Sequence, residues 1–235
     1  MTIKAAIFDV FGTVVDWRRG VAEAVAPVFA AKGIEDDAYA FADAWRQEYQ
    51  PAMEGVRSNA RPYTPLDILH RENLDRVLEA RGLADAFDKA ERAALNQAWE
   101  KLPAWPDSVP GIARLRATLL VAPCSNGSIA LMSRLARFAG LSWDAILGAD
   151  VALAYKPSPE TYQRSAAALG LAPSQVLMVA AHNDDLAAAA RAGLATAFIP
   201  RPSEHGPGQT KDLAPTGDWT MTAPDMRALA AQFLD

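Results

Sequence analysis

AAIFDVFGT, residues 5–13, runs from an apolar stretch straight into a carboxylate, Asp9, and then into a Gly12–Thr13 pair. A short apolar run, Ile3 to Phe8, bounded by a charge and a glycine, fits a strand buried on both faces. An acid hung on the end of such a strand lies where open α/β sheets bind their ligands, outside the carboxyl ends of the strands. Two residues further on, where a second acid would assist the first, the chain has Phe11.

The sequence around this strand sets the fold class. From Arg18 to about Ala98 the segments have helical spacing and almost no strand signal. Val21, Val25, Val28 and Phe29 share a helical face, and Tyr39, Trp45, Tyr49 and Met53 populate the next helix. Pro65 opens a third helix, with Leu66, Leu69, Leu74 and Leu78, and Gly82 stops it. A fourth runs from about Asp85 to Trp99. Alternation then begins. Strands are expected at 119–123, 146–149, 176–180 and 196–199. Helices are expected at 112–117, 128–139, 159–169, 184–192 and 224–234. Strands alternating with helices imply a parallel sheet with right-handed crossovers. The expectation is an α/β fold: a Rossmann-like parallel-sheet core, residues 1–16 and 99–235, with an inserted helical segment, residues 17–98.

Polar residues collect at the strand ends. The first strand ends in Asp9 and Thr13, and the next in Ser125, Asn126 and Gly127. The segment after Asp150 delivers Tyr155, Lys156 and Pro157, and the strand at 176–180 ends in Ala181, His182, Asn183, Asp184 and Asp185. Each has an ordinary reading: Asp9 as a turn residue, Ser125 and Asn126 as a helix cap, Lys156 as a solvated loop lysine, and the two aspartates as partners of a helix dipole. Their convergence on one edge of one sheet is what points to a site.

The bulk properties narrow the classes. The chain has 235 residues, 51% of them apolar and 22% charged, and a net charge of -5. That charge argues against nucleic acid or an anionic membrane as the main partner, and no stretch reaches the apolar length of a membrane span. The single cysteine, Cys124, permits no internal disulfide and suits a reducing cytoplasm. The apolar run at the N-terminus is too short for a signal peptide. A homodimer stays open.

Four segments in order resemble the motifs of the haloacid dehalogenase superfamily: FDVFGTVVD (8–16), CSNGS (124–128), YKPSPETY (155–162) and VAAHNDDL (179–186). The resemblance covers essentially the whole chain and implies that residues 17–98 form a cap over the core. Most members are magnesium-dependent phosphatases with a second acid in the first motif and another in the fourth. Phe11 and Ala181 stand at those positions here, which implies no metal and no cofactor. The details resemble the L-2-haloacid dehalogenase branch: Tyr155, Lys156 and Tyr162 in the third motif, Arg46 in WRQ (45–47), Asn126 in SNG, and PRPSEHGPGQTKDL (200–213). DWR (16–18), Ala180 and His182 depart from the better-known members.

The resemblance implies hydrolysis of small 2-haloacids to 2-hydroxy acids with release of halide, with fluoroacetate open as a substrate. Asp9 would be the nucleophile and Lys156 the cation holding it ionised. Ser125 and loop N–H groups would bind the substrate carboxylate, and Arg46 and Asn126 the departing halide. Thr13, Arg18 and Tyr162 are further candidate substrate contacts, and either His182 or Asp185 would activate water. Trp17, Phe41, Trp45 and Tyr49 are expected to line an apolar wall. The alternatives are a phosphatase with degenerate motifs and a non-catalytic metabolite-binding protein.

Overall fold

The computed structural model describes residues 2–233. Strand β1 (Ala5–Phe8) is fully buried and pairs on both sides, with Ala5 opposite Leu120 on one flank and Val176 on the other. A strand covered on two faces and two edges needs apolar side chains throughout, which is why residues 5–8 show no alternation. Its partners are β2 (Leu120–Pro123) and β3 (Val176–Ala180), and β4 (Ala195–Phe198) and β5 (Met221–Thr222) complete a five-stranded parallel sheet in the order β2-β1-β3-β4-β5. The chain moves from β1 to β2 on one side and then crosses to β3 on the other. The carboxyl end of β1 is therefore the point where strand order reverses, the place that forms a crevice in open sheets.

Between β1 and β2 the chain is helical: α1 (Trp17–Lys32), α2 (Ala38–Gln47), α3 (Tyr49–Arg57), α4 (Leu66–Ala80), α5 (Lys89–Asn96) and α6 (Ser108–Leu115). After β2 come α7 (Ile129–Ala139) and α8 (Pro159–Ala168). Helix α9 (Asn183–Arg191) follows β3, and α10 (Met226–Ala231) closes the described chain. Leu234, the expected end of the last helix, lies outside the described residues. None of the described helices is long and apolar enough to cross a membrane.

The fold class stands as read from the sequence, with four local corrections. Tyr39 to Met53 is two helices, broken at Glu48. Pro51, third in α3, cannot donate to residue 47 and its ring would collide with that carbonyl in a continuous helix. The expected strand at 146–149 does not form. Asp144 takes its place at the edge of β2, its backbone N–H donating to Val121 O at 2.9 Å and its Oδ2 accepting from Val121 N at 3.0 Å. Helix α6 starts earlier than expected, tolerating Pro110 in its first turn, where an N–H has no intrahelical acceptor anyway. Strand β5 is not legible in the sequence, because two residues, one half-buried and one exposed, carry no periodicity.

Candidate active site

Asp9 leaves β1 with its backbone N–H donating to Val179 O at 3.0 Å, so its position is fixed by the sheet itself. Both carboxylate oxygens are engaged. Oδ1 accepts from Lys156 Nζ at 2.8 Å, and Oδ2 accepts from Thr13 Oγ1 at 2.7 Å and faces His182 Nδ1 at 3.1 Å. Burial alone would raise the Asp9 pKa, but Lys156 and His182 outweigh it and hold the carboxylate well below the usual range. Lys156 is itself shared: Nζ donates to Asp185 Oδ2 at 2.5 Å. Burial disfavours its charge, yet Asp185 and Asp9 together raise its pKa above the ordinary lysine value. Asp185 completes the chain by accepting from Tyr162 Oη at 2.5 Å through Oδ1. Its acidic position in the first turn of α9 also suits the helix dipole.

His182 sits just before α9. Its Nε2 meets Glu204 Oε2 at 2.8 Å, and Glu204 Oε1 accepts from Trp17 Nε1 at 2.9 Å. Burial works against the imidazolium, but Glu204 and Asp9 prevail and raise its pKa well above the ordinary value. Glu204 is the residue that sequence reading passed over. The stretch containing it, residues 200–213, stood out as a resemblance, but nothing local reveals that one glutamate in a polar loop is 1% exposed.

Arg46 comes from the last turn of α2, a helix capped by the Asp37 carboxylate, which accepts from Tyr39 N and Ala40 N. Its guanidinium lies 3.9 Å from the centroid of Tyr49 and 5.2 Å from that of Trp17. Its Nη1 is buried and has no hydrogen-bond partner. Asn126 Oδ1 accepts from Lys156 N at 2.7 Å, which ties the second strand end to the third motif. Asp9, Phe11, Arg46, Asn126, Lys156, Tyr162, His182, Asp185 and Glu204 share the wall of a cleft of about 1160 Å³.

Several residues expected at the substrate have partners within the protein. Thr13 is fully buried, and its hydroxyl donates to Asp9 and accepts from Ala181 N at 2.8 Å; it positions Asp9 from beneath and does not face the cleft. Ser125, 1% exposed, also lies below the wall, its Oγ accepting from Gly127 N at 3.1 Å. Arg18 is committed to Asp43 through two bonds of 2.7 and 2.8 Å, so it offers no free cation. Of the four aromatic residues expected on the wall, Trp17 and Tyr49 line the cleft, whereas Phe41 and Trp45 pack in the helical core against Phe29 and Trp99.

The donor set does not fit a magnesium ion, which needs several oxygen ligands in octahedral array. Both Asp9 oxygens already have hydrogen-bond donors, Phe11 is packed edge-on to Tyr49, His70 and Trp99, and Ala181 offers only its backbone. His182, Glu204 and His205 have ligand atoms within 4.8 Å of one another, but both ring nitrogens of His182 face carboxylates. That cluster is a hydrogen-bonded ion-pair network.

A buried strand-end carboxylate paired to a lysine faces a cleft that residues of the helical insertion also line. The chain belongs to the haloacid dehalogenase-like hydrolases, whose family model matches residues 3–193. Among characterised relatives, the (S)-2-haloacid dehalogenase of Xanthobacter autotrophicus is 31% identical over 204 residues, 86% of this chain and 77% of that one. Among solved structures, a defluorinating L-2-haloacid dehalogenase superposes with a TM-score of 0.97 at 52% identity, covering 99% of this chain and 96% of that one. A second L-2-haloacid dehalogenase gives 0.94 at 43% identity, covering 98% of each chain.

Proposed function

We propose that this protein hydrolyses short 2-haloalkanoic acids to 2-hydroxy acids through an ester on Asp9. The observation that carries the reading is Asp9 itself: a carboxylate kept ionised by Lys156 at 2.8 Å, with Phe11 and Ala181 where a phosphatase needs acids. Halide leaves without a proton, so its displacement needs neither a metal nor a general acid. The likeness to (S)-2- and L-2-haloacid dehalogenases supports the same reaction. We read residues 17–98 as the cap and residues 1–16 and 99–235 as the core.

In the first step an Asp9 oxygen attacks C2 in line with the carbon–halogen bond, forming the ester and inverting C2. Lys156, anchored by Asp185, keeps Asp9 anionic in the resting enzyme. The departing halide is received by the unpartnered Nη1 of Arg46 and by the Asn126 side chain, where charge develops in the transition state. The substrate carboxylate is held by N–H groups of the loops after β1 and β2, shaped by the Ser125–Gly127 hydrogen bond. In the second step water attacks Cγ of Asp9. Asp185 is held by Lys156 and Tyr162 and meets Asp9 only through Lys156, whereas His182 touches the reacting carboxylate, so we assign His182 as the group that meets this water. Cys124 takes no part: burial pushes its thiol up to about 12.

The test is a panel of chloro-, bromo- and fluoroacetate and both 2-chloropropionate enantiomers, with halide release measured. One turnover in heavy-oxygen water, enzyme in excess, is expected to label the Asp9 peptide and leave the product unlabelled. Label in the product of that first turnover would mean water attacks the substrate directly and would overturn the mechanism. Fluoride release from fluoroacetate is expected, on the likeness to the defluorinating relative.

A further inference from the structure

Glu204 is a carboxylate removed from solvent in a cleft that also holds a second buried carboxylate, Asp9. The imidazole of His182 lies between the two, Nδ1 toward Asp9 and Nε2 toward Glu204. Two features of the chain exist around this contact. Gly12 has φ +92°, and a Cβ on it would lie 2.0 Å from Glu204 Oε1, so only glycine lets the carboxylate approach. The loop carrying Glu204 is fastened by Arg201, which pairs with Asp107 at 2.7 and 2.8 Å and donates to Thr13 O at 2.9 Å. A solvated loop glutamate would need neither.

We propose that Glu204 is a positioning residue for ester hydrolysis, acting through His182, and that alkylation of Asp9 is the event that turns His182 into the base. The proposal rests on the Asp9-ester reading above. In the resting enzyme His182 faces two anions and carries both ring protons, so it cannot accept another. Displacement converts Asp9 into a neutral ester and removes one of those anions. His182 then keeps one carboxylate neighbour and releases its Nδ1 proton to solvent, the single proton that the overall reaction liberates. The bond from water oxygen to Asp9 Cγ forms as the water proton passes to Nδ1, with Glu204 opposing the new charge at Nε2. The adduct collapses, the bond from Cγ to the product oxygen breaks, and that oxygen takes the proton from Nδ1. The carboxylic acid left at Asp9 passes its proton to Nδ1 and restores the ion pair.

The other charged groups around this pair are Lys156 and Asp185 beyond Asp9, Asp184 in the first turn of α9, Arg46 from α2, His205 beside Glu204, and Lys211 and Asp212 on the cleft wall. The reaction changes the charge of none of them. Only Asp9 loses its charge between the two steps, which is why the switch follows the chemistry.

The experiment is rapid-quench halide release from chloroacetate by Glu204→Gln, across pH. The variant is expected to release about one halide per site at a near-native rate and then slow, on the order of a hundredfold as for loss of a general base, with the ester visible as added mass on the Asp9 peptide. Hydrolysis rises with pH as His182 loses its proton, and that limb is expected to move to lower pH in Glu204→Gln, because an anion beside the imidazole has gone. Glu204→Asp is expected to move the limb back toward the native position. Burst and hydrolysis slowed together, a limb unmoved by Gln, or a limb equal in the Gln and Asp variants would overturn the proposal. Unchanged turnover would do the same. Absence of halide release by the native protein on the whole haloacid panel would instead sink the dehalogenase reading.

Discussion

Lys156→Met removes the one cation that two buried carboxylates share. The side chains of Lys156, Asp9 and Asp185 are 8%, 9% and 10% exposed, so solvent replaces little of the lost contact. Taking one partner from a buried, hydrogen-bonded charge pair costs roughly 3–5 kcal/mol, because the remaining charge stays buried. For a chain of this size each kcal/mol lowers Tm by about 2–4 °C, so a fall of roughly 6–20 °C is expected at neutral pH. The sign with pH follows from Asp9. Its folded pKa is depressed, so the stabilisation from Lys156 is present above the unfolded value of about 3.9 and fades as pH falls below it. The native and variant melting curves should therefore converge in acid. Activity should fall more steeply than stability, since Asp9 in the variant loses its main stabilising cation and gains an acid limb in its pH–rate profile. Calorimetry from pH 2 to 8, with halide release on the same samples near neutrality, measures both. A variant as stable and as active as the native protein at pH 7 would refute the reasoning, as would a Tm deficit that widens in acid.

Arg46→Lys keeps the charge but loses the planar group stacked on Tyr49 and Trp17, and kcat/KM for chloroacetate is expected to fall on the order of tenfold or more; an unchanged value would remove Arg46 from the halide site. Dialysis against a strong chelator is expected to leave halide release unchanged, since the donors around Asp9 do not fit magnesium, and a loss reversed by added magnesium would contradict this. His182 is expected to carry both ring protons in the resting enzyme at pH 7.5, read by NMR of histidine labelled with nitrogen-15, because its folded pKa is raised. Its stabilising contribution is then complete below the unfolded value of about 6.5 and is lost as pH rises through the folded value, so a neutral ring at pH 7.5 would contradict the ion-pair geometry.

Much of the site was legible because strand ends are legible. Asp9, Asn126 and His182 each end an apolar run whose length and composition mark a buried parallel strand, and Lys156 and Asp185 follow in motifs with fixed neighbours. Less legible were the internal partners of Thr13, Ser125 and Arg18, which the resemblance implied at the substrate: Asp9 and Ala181, Gly127, and Asp43. Which partner a side chain meets depends on the path of the backbone, and residue type does not report it.

Taken by itself, the sequence determined the parallel core, the helical insertion after β1, the placement of an acid at the end of the central strand, and the loss of its companion acids at residues 11 and 181. These follow from local patterns: apolar runs, helical spacing, and the identity of a residue at a fixed offset from a strand. Tertiary structure alone decided the charge states. Asp9 and Lys156 lie 147 positions apart, and Trp17 reaches Glu204 across 187. Burial disfavours each of these charges singly, and only the simultaneous approach of opposite charges makes them stable together. That approach is a property of distances in space, and it is what makes His182 a cation between two carboxylates where its type alone suggested a free base.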